Sequence, residues 1–433
     1  MRLRPRVVIA IAAVPAGAAF LLALVASVAL LAAPPAFLVG SSLAASASPD
    51  STAARPGAPD WLSPATGRGS AETGPFFAVL AFDSATASWG VACAGAEIAC
   101  GARIPAAAAG AGAIASLGPG TSVLRAVLVS LASGISADSA VALLRAAPED
   151  PAARQSVVIA ADGHAAAYSG ARLPGFSGAR TGSAFGCAGF GLRGQPTLEA
   201  MEAAFLGMAV AGRVAKPTVV VGPIAGELGA RLLAALEAGE RAEGDPFGRR
   251  GMDASAALLV VRAGADPGAG SDRLVDLRVD EGDDPVGALG RLYARHAETF
   301  LPAAHVRFGD AARRRGDDVA ARREYGLAEA GFRAAVARAP KDGGALNELA
   351  WFLATRGGDS GEALRFAEAA AAARADDPNI LDTVAEAAYR AGDLERAVQA
   401  AERAARLARG NARYAERLRA FRAARAALAS PSR

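Results

Sequence analysis

The fold is decided at residues 74–95, which read GPFFAVLAFDSATASWGVACAG. Two apolar runs, 76–82 and 89–94, flank a short polar segment at 83–88. This pattern predicts two neighbouring strands joined by a turn. Because the preceding residues have the composition of an export signal and a linker, we expect a folded domain to begin on this strand pair.

Residues 1–47 have the composition of a membrane-inserting segment. Arginines at positions 2, 4 and 6 precede an apolar run, 7–39, that contains no charged residue. The run is longer than the ~7–15 apolar residues of a signal peptide and reaches the ~20 needed to span a bilayer. Two interpretations are consistent with this pattern. One is a signal peptide that is cleaved near Ala45-Ser46-Ala47, and the other is an uncleaved anchor that holds residues 7–39 in the membrane. In either case we expect an extracytoplasmic protein, which is periplasmic, part of the cell envelope or secreted.

Residues 48–74 are rich in Ser, Ala, Pro and Gly and predict a flexible tether. The remainder of the 433-residue chain has room for about two domains. With 46 basic and 43 acidic residues, the net charge is +3 and no strong basic patch stands out. We therefore expect no nucleic-acid partner.

Residues 75–299 alternate short apolar strands with amphipathic helices. A hairpin is predicted at 155–169 around Asp162-Gly163, and Ser136 and Asp284 precede predicted helices as caps. Further helices are predicted at 121–133, 197–211 and 227–238, and further strands at 254–261 and 274–279. Hairpins and helices that occur in groups favour an antiparallel α+β sandwich over a wound parallel sheet.

This part of the chain resembles a known bacterial family. The resemblance rests on the opening strand and on an ordered set of later segments: Gly134-Ile135-Ser136-Ala137, Arg154-Gln155-Ser156-Val157-Val158, Arg180-Thr181-Gly182, Leu198-Glu199-Ala200-Met201 and the run 271–280. The family is domain of unknown function 1028, whose members are similar in fold to N-terminal-nucleophile hydrolases. The resemblance implies a four-layer αββα sandwich, with two antiparallel sheets between two helical layers.

The chain departs from the family pattern where polar groups are expected. The family's opening Thr-Phe-Ser corresponds to Phe76-Phe77-Ala78, and its Gln-Gly-Asn corresponds to Ala188-Gly189-Phe190. Two family histidines correspond to Tyr168 and Ala179, and a Thr-Gln pair corresponds to Ala115-Ser116. These replacements predict a hydrolase-like domain that has lost its catalytic groups and serves as a scaffold.

The alternative is an active amide or peptide hydrolase. An N-terminal nucleophile needs Thr, Ser or Cys as the first residue of the mature domain, because the free α-amine acts as the base. Thr73 meets this need only after a cut between Glu72 and Thr73. Ser116, which we expect in a loop before a helix, is the other candidate nucleophile.

The histidines and cysteines show no clear catalytic, metal-binding or disulfide pattern. His164, His296 and His305 are scattered and have no triad or metal spacing, so we expect neither a metal nor a cofactor. We expect Cys93, Cys100 and Cys187 to be small core residues. The alternative, in an oxidising compartment, is that two of them form one disulfide.

Residues 300–433 predict an all-α domain of helical repeats. Gly358-Asp359 and Ala363 recur as Gly392-Asp393 and Ala397, at an offset of 34 (397 − 363). This period resembles tetratricopeptide repeats of ~34 residues. We expect an earlier unit with a longer second helix that reaches Pro340, and a capping helix at 411–428.

A protein or peptide partner is expected on the concave face of these repeats. The positions that line this face in tetratricopeptide repeats correspond to two sets of polar and aromatic residues: Asn347 and Trp351 in one unit, and Asn379, Asp382, Glu386 and Tyr389 in the next. Packing of the repeats against the preceding domain is the alternative.

Overall fold

The computed structural model describes residues 75–117, 123–148, 150–207, 227–244, 246, 254–266, 268 and 270–429. The predicted signal segment, 1–47, and the tether, 48–74, lie outside the described residues. The described residues fall into one compact unit. None of the helices in those described ranges is both long enough and apolar enough to cross a membrane.

Within the described residues, the first part of the chain forms ten strands, six α-helices and a short 3-10 helix at Pro151–Ala153. The strands are β1 (Phe76–Asp83), β2 (Ser88–Gly95), β3 (Pro105–Ala108), β4 (Gly112–Leu117), β5 (Gln155–Ala160), β6 (Ala165–Ser169), β7 (Phe176–Gly182), β8 (Phe185–Leu192), β9 (Ser255–Asp266) and β10 (Ser271–Val279). The helices are α1 (Cys100–Arg103), α2 (Leu124–Ala132), α3 (Ala137–Ala146), α4 (Gln195–Phe205), α5 (Leu228–Glu243) and α6 (Pro285–Thr299).

The second part is helical throughout. Its helices are α7 (Leu301–Arg314), α8 (Asp318–Arg338), α9 (Gly343–Arg356), α10 (Ser360–Ala373), α11 (Pro378–Arg390), α12 (Leu394–Leu407) and α13 (Ala412–Ala429).

The strands form two antiparallel sheets. One has the order β10-β9-β2-β1-β8-β7, and the other has the order β3-β4-β5-β6. The predicted opening pair is confirmed, because β1 and β2 form a hairpin in which Asp83 faces Ser88 across the turn. β1 also pairs with β8, and β2 pairs with β9, so the opening hairpin forms the centre of the larger sheet.

Alternation along β1 divides the core into layers. Phe77 and Val79 point to one face of the larger sheet and pack with α4 and α5. Phe76, Ala78 and Leu80 point to the other face and lie between the two sheets. A third apolar layer joins the smaller sheet to α2 and α3. The predicted αββα sandwich is therefore confirmed.

Three caps and turns were predicted correctly. The Ser136 side chain accepts a hydrogen bond from the Ser139 backbone N–H at the start of α3, and Asp284 accepts one from Gly287 at the start of α6. The hairpin of β5 and β6 turns at 161–164, where Gly163 has a φ of 85°. A positive φ is favourable for glycine because it has no Cβ.

The helical part consists of successive antiparallel pairs. Helices α9 and α10 form one pair, α11 and α12 form the next, and α13 follows as the final helix. The earlier unit, α7 and α8, has a second helix of 21 residues, as expected from the sequence. Alanines at 363, 367, 397 and 401 are buried where paired helices cross, since small side chains allow close approach.

Helix α7 is shared by both parts of the structure. Leu301, Ala304 and Phe308 belong to the same apolar core as α5 and β9. Ala312, near the end of the same helix, packs in the core of the repeats. The predicted boundary between 299 and 300 stays a prediction, and the two parts share buried side chains across it.

Candidate functional site

The start of β1 is apolar and filled. Phe76 is 5% exposed, and its ring lies 5.5 Å from the ring of Phe190. Its strand partner Gly95 leaves room for this ring, since a Cβ built at Gly95 would lie 1.9 Å from a Phe76 ring atom. A hydrophobic stack therefore occupies the position where the resemblance places a hydroxyl.

Ser116 lies on β4, and not in a loop before a helix. The predicted loop position is wrong, because residues 112–117 pair with β5 in the smaller sheet. The Ser116 side chain is 2% exposed, and its Oγ lies 3.0 Å from Ser156 Oγ. Buried hydroxyls that bond to each other are satisfied but have no general base in that contact. The role of Ser116 as a nucleophile stays a prediction, and Thr73 lies outside the described residues.

A buried glutamine beside these serines was not singled out from the sequence. Gln155 Nε2 on β5 lies 2.9 Å from Ser169 Oγ and 2.9 and 3.0 Å from the carbonyl oxygens of Gly178 and Gly189, and these three acceptors share its two hydrogens. Since those glycines belong to the larger sheet, Gln155 links the two sheets. The contact indicates a structural role.

Two of the three cysteines lie together. Cys93 Sγ and Cys100 Sγ are 3.8 Å apart, and both thiols are buried and free. Their mutual hydrogen bond separates their pKa values, so that the pKa of Cys93 is raised and that of Cys100 is lowered. Burial raises the pKa of Cys187 to about 12. The pair at 93 and 100 is thus the place where a disulfide has a partner within reach.

His164 lies beside a carboxylate that sequence spacing did not reveal. Its Nε2 is 3.0 Å from Asp138 Oδ2 on α3, and both side chains are largely exposed. An open cleft of about 580 Å³ next to this pair is also lined by the hydroxyl-bearing residues Ser84, Thr181 and Ser183.

His296 has a packing role. Its Nε2 lies 2.9 Å from the Leu274 carbonyl oxygen, and its ring stacks on Phe300. Burial lowers the pKa of His296. Across the described part of the chain, no three His, Cys, Asp or Glu side chains are grouped so that they could hold a metal ion.

His305 belongs to a buried charged cluster at the junction of the two parts. Its Nδ1 lies 2.8 Å from Glu324 Oε2, and its Nε2 lies 2.5 Å from Glu227 Oε1. Arg262 on β9 approaches both oxygens of Glu324, at 2.9 and 3.2 Å. We call His305, Glu227, Glu324 and Arg262 the junction cluster. It connects α7 and α8 to the sandwich.

The residues predicted to bind a partner lie on the first helices of the repeat pairs and are not equally accessible. The side chains of Asn347, Asp382 and Glu386 are buried, Trp351 is half-buried, and Asn379 and Tyr389 are exposed.

Helix α13 covers part of this set. Arg417 bonds to Asp382 and lies 2.8 Å from Glu386, and its guanidinium carbon is 5.5 Å from the Trp351 ring centre. Arg417 therefore brings Trp351, Asp382 and Glu386 together. Binding by these residues stays a prediction.

A small groove lies next to Trp351. The groove has a volume of about 230 Å³ and lies between α7 and α9, over Phe332 of α8. Val306, Trp351 and Phe352 contribute apolar surface, and Glu348 and Arg356 contribute charge. This arrangement can hold an apolar side chain beside a polar backbone.

Solved structures that are similar to this chain include the following three. Protein SPO2555 from Silicibacter pomeroyi, of family DUF1028, is 29% identical, with 52% of this chain and 89% of that chain covered and a TM-score of 0.42. The first TPR of Spaghetti (RPAP3), bound to the HSP90 peptide SRMEEVD, is 18% identical, with coverage of 31% and 98% and a TM-score of 0.24. The first TPR domain of human RPAP3 is 17% identical, with coverage of 29% and 94% and a TM-score of 0.23.

Among curated proteins, none matches the chain. Residues 76–289 match the family model described as "Family of unknown function (DUF1028)". This range begins on β1 and ends within α6, so it covers the sandwich. The match confirms the predicted resemblance of residues 76–289 to the DUF1028 family of unknown function.

Proposed function

We propose that this protein is a binding protein whose sandwich domain does not hydrolyse a substrate and whose helical repeats bind an extended peptide. The absence of hydrolysis is supported by the buried stack of Phe76 on Phe190 at the start of β1. Peptide binding by the repeats is supported by the groove beside Trp351.

Phe76 stands where the family resemblance places a hydroxyl nucleophile. A hydroxyl nucleophile must be exposed to substrate and must lie near a base that takes its proton. Phe76 has no hydroxyl, and its backbone is held in the sheet between β2 and β8. Ser116 lies in the smaller sheet, and its buried hydroxyl faces the Ser156 hydroxyl.

The groove beside Trp351 has a size and a lining that suit a peptide. Its volume of about 230 Å³ suits one apolar side chain of a partner. The exposed carboxylate of Glu348 at the same groove offers hydrogen-bond acceptors to the partner's backbone, whereas Arg356 is paired with Asp310. Stacked helix pairs commonly expose such a surface along their first helices.

We further propose that the protein acts outside the cytoplasm. The apolar run at 7–39 and the preceding arginines support export, and the segment 48–74 suits a tether between the membrane and the sandwich. Whether the segment is cleaved decides whether the protein is anchored.

The alternative hydrolase is distinguished by the mature N-terminus. N-terminal sequencing and intact mass of the exported protein should give a start near Ser48 or an uncleaved chain. A mature chain that starts at Thr73 would overturn the non-catalytic proposal, because it would create a threonine with a free α-amine.

Peptide binding should be tested on the whole protein, since α7 shares buried side chains with the sandwich. Random short peptides displayed on phage would be selected on the wild-type chain and then titrated against Trp351→Ala. Phe176→Ala removes an exposed aromatic side chain of β7 and is the matched control.

We expect the selected peptides to bind the wild type and the control equally and Trp351→Ala at least about tenfold more weakly, as for loss of a central aromatic contact. Equal binding to all three proteins would overturn the proposed groove. Thermal unfolding of each variant shows whether the fold is retained.

A further inference from the structure

A second, larger cleft lies at the junction of the sandwich and the helical part. Its volume is about 670 Å³, within the range of about 300–1,000 Å³ that is usual for small-molecule sites. One wall is formed by Thr86 in the turn after β1 and by residues 262–264 of β9. The opposite wall is formed by α7 and the first half of α8.

Four arginines line this cleft and come from two different elements. Arg262 lies on β9, whereas Arg307, Arg314 and Arg315 lie on or directly after α7. The cations at the end of α7 are favourable beside its carbonyl groups. That effect does not account for Arg262 and Arg307, which face the same cleft from a strand and from the middle of the helix.

The two carboxylates of the cleft are already paired with other cations. Glu324 is held by His305 and Arg262 in the junction cluster. Asp310 lies 2.8 Å from two nitrogens of Arg356 and accepts a hydrogen bond from the Tyr325 hydroxyl. Neither carboxylate therefore offsets the charges of Arg314 and Arg315.

The arginines differ in how much hydrogen-bonding capacity is left. Arg262 is held by Glu324, and its guanidinium carbon lies 3.6 Å from the Phe308 ring centre. Arg307 donates to the Ala265 carbonyl oxygen at 2.7 Å through a single nitrogen. Arg314 and Arg315 are exposed and form no ion pair with any carboxylate in the described ranges.

We propose that this junction cleft binds a small polyanion, that is, a molecule with two or more phosphate or carboxylate groups. Arginine presents planar N–H groups that match the oxygens of either group, and Arg314, Arg315 and Arg307 supply them on one side of the cleft. Arg262, fixed on Phe308, forms a rigid positive wall. Arg307 also lines the peptide groove, but Arg314 and Arg315 line the junction cleft and not that groove.

The ligand would contact both parts of the protein. Because the walls come from β9 on one side and from α7 and α8 on the other, a bound polyanion would connect the sandwich to the repeats. Binding should therefore raise the thermal stability of the whole chain, and the rise should grow with the logarithm of the concentration of excess ligand.

The test is calorimetric titration of the whole protein at low salt with two probes, pyrophosphate and citrate. The first carries phosphate oxygens and the second carries carboxylates, so the comparison identifies the preferred group. The test variant is Arg314→Gln/Arg315→Gln. The control, Arg409→Gln/Arg419→Gln, removes two exposed arginines near and within α13, away from the cleft.

We expect at least one probe to bind the wild type and the control equally, and to bind the test variant about tenfold or more weakly, because charge-assisted hydrogen bonds are lost. Added salt should weaken the binding. The proposal is overturned if neither probe binds the wild type, or if the control loses as much affinity as the test variant. Should the double variant unfold early, Arg315→Gln alone provides the same comparison.

Discussion

His305 Nδ1 lies 2.8 Å from Glu324 Oε2, and both side chains are only 1% exposed. This pair connects α7 to α8 and, through Glu227 and Arg262, to the sandwich. A buried charge that loses its partner is costly, because water cannot replace the missing contact.

We therefore expect His305→Ala to lower the free energy of unfolding by about 3–5 kcal/mol. The matched control is His164→Ala, which removes an exposed histidine that also lies 3.0 Å from a carboxylate. Exposed ion pairs contribute about 0–1 kcal/mol, so the control should change little. Chemical denaturation of both variants measures the difference, and similar losses would contradict the proposed role of the junction cluster.

The same contacts predict how stability depends on pH. Burial alone would lower the pKa of His305, but the bonds to Glu227 and Glu324 outweigh burial and raise it from 6.5 to about 9. Burial alone would raise the pKa of Glu324, but the bonds from His305 and Arg262 lower it from 4.5 to about 2.

The contribution of His305 is fully present below pH 6.5 and is lost as the pH rises through about 9. That of Glu324 is fully present above pH 4.5 and is lost as the pH falls through about 2. The stability difference between wild type and His305→Ala should thus be largest between pH 4.5 and 6.5. A difference that grows between pH 7 and 10 would show that His305 is not held in its charged form.

Cys93 and Cys100 should form a disulfide on treatment with oxidised glutathione. Their sulfur atoms are 3.8 Å apart, and a bond of about 2.05 Å needs only a small local movement. Cys187 should stay reduced, because its thiol has a pKa of about 12 and its sulfur contacts the Leu198 carbonyl oxygen.

Mass spectrometry of non-reduced peptides checks this assignment. Cys187→Ala should leave the linked peptide unchanged, and Cys100→Ala should abolish it. A linked peptide that contains Cys187 would show that the pairing is wrong.

Local patterns in the sequence predicted much of the fold. The opening hairpin was visible in two apolar runs around a polar turn, and the α3 cap was visible in Ser136. The repeat units were visible in a fixed offset and in recurring Gly-Asp turns. Each of these signals comes from residues that interact with close neighbours in the chain.

Features that depend on distant contacts were missed. β3 and β4 consist largely of alanine and glycine, which have low strand propensity, so their local sequence favours a loop at Ser116. Pairing of β4 with β5 overrides that preference. The junction cluster was missed because Glu227, Arg262 and Glu324 approach His305 only after α7 packs against the sandwich.

The stack at the start of β1 predicts how substitutions at Phe76 and Gly95 change the free energy of unfolding. Gly95→Ala places a Cβ 1.9 Å from a Phe76 ring atom, and the ring cannot move freely because it is buried against Phe190. We expect Gly95→Ala to cost about 1–3 kcal/mol by overpacking, and Phe76→Ala to cost about 3–5 kcal/mol by leaving a cavity. In the double variant the clash is absent, so its cost should be smaller than the sum of the two single costs by about 1 kcal/mol or more. Urea denaturation of the four proteins measures this coupling, and costs that add within about 0.5 kcal/mol would show that the Phe76 ring does not occupy the space above Gly95.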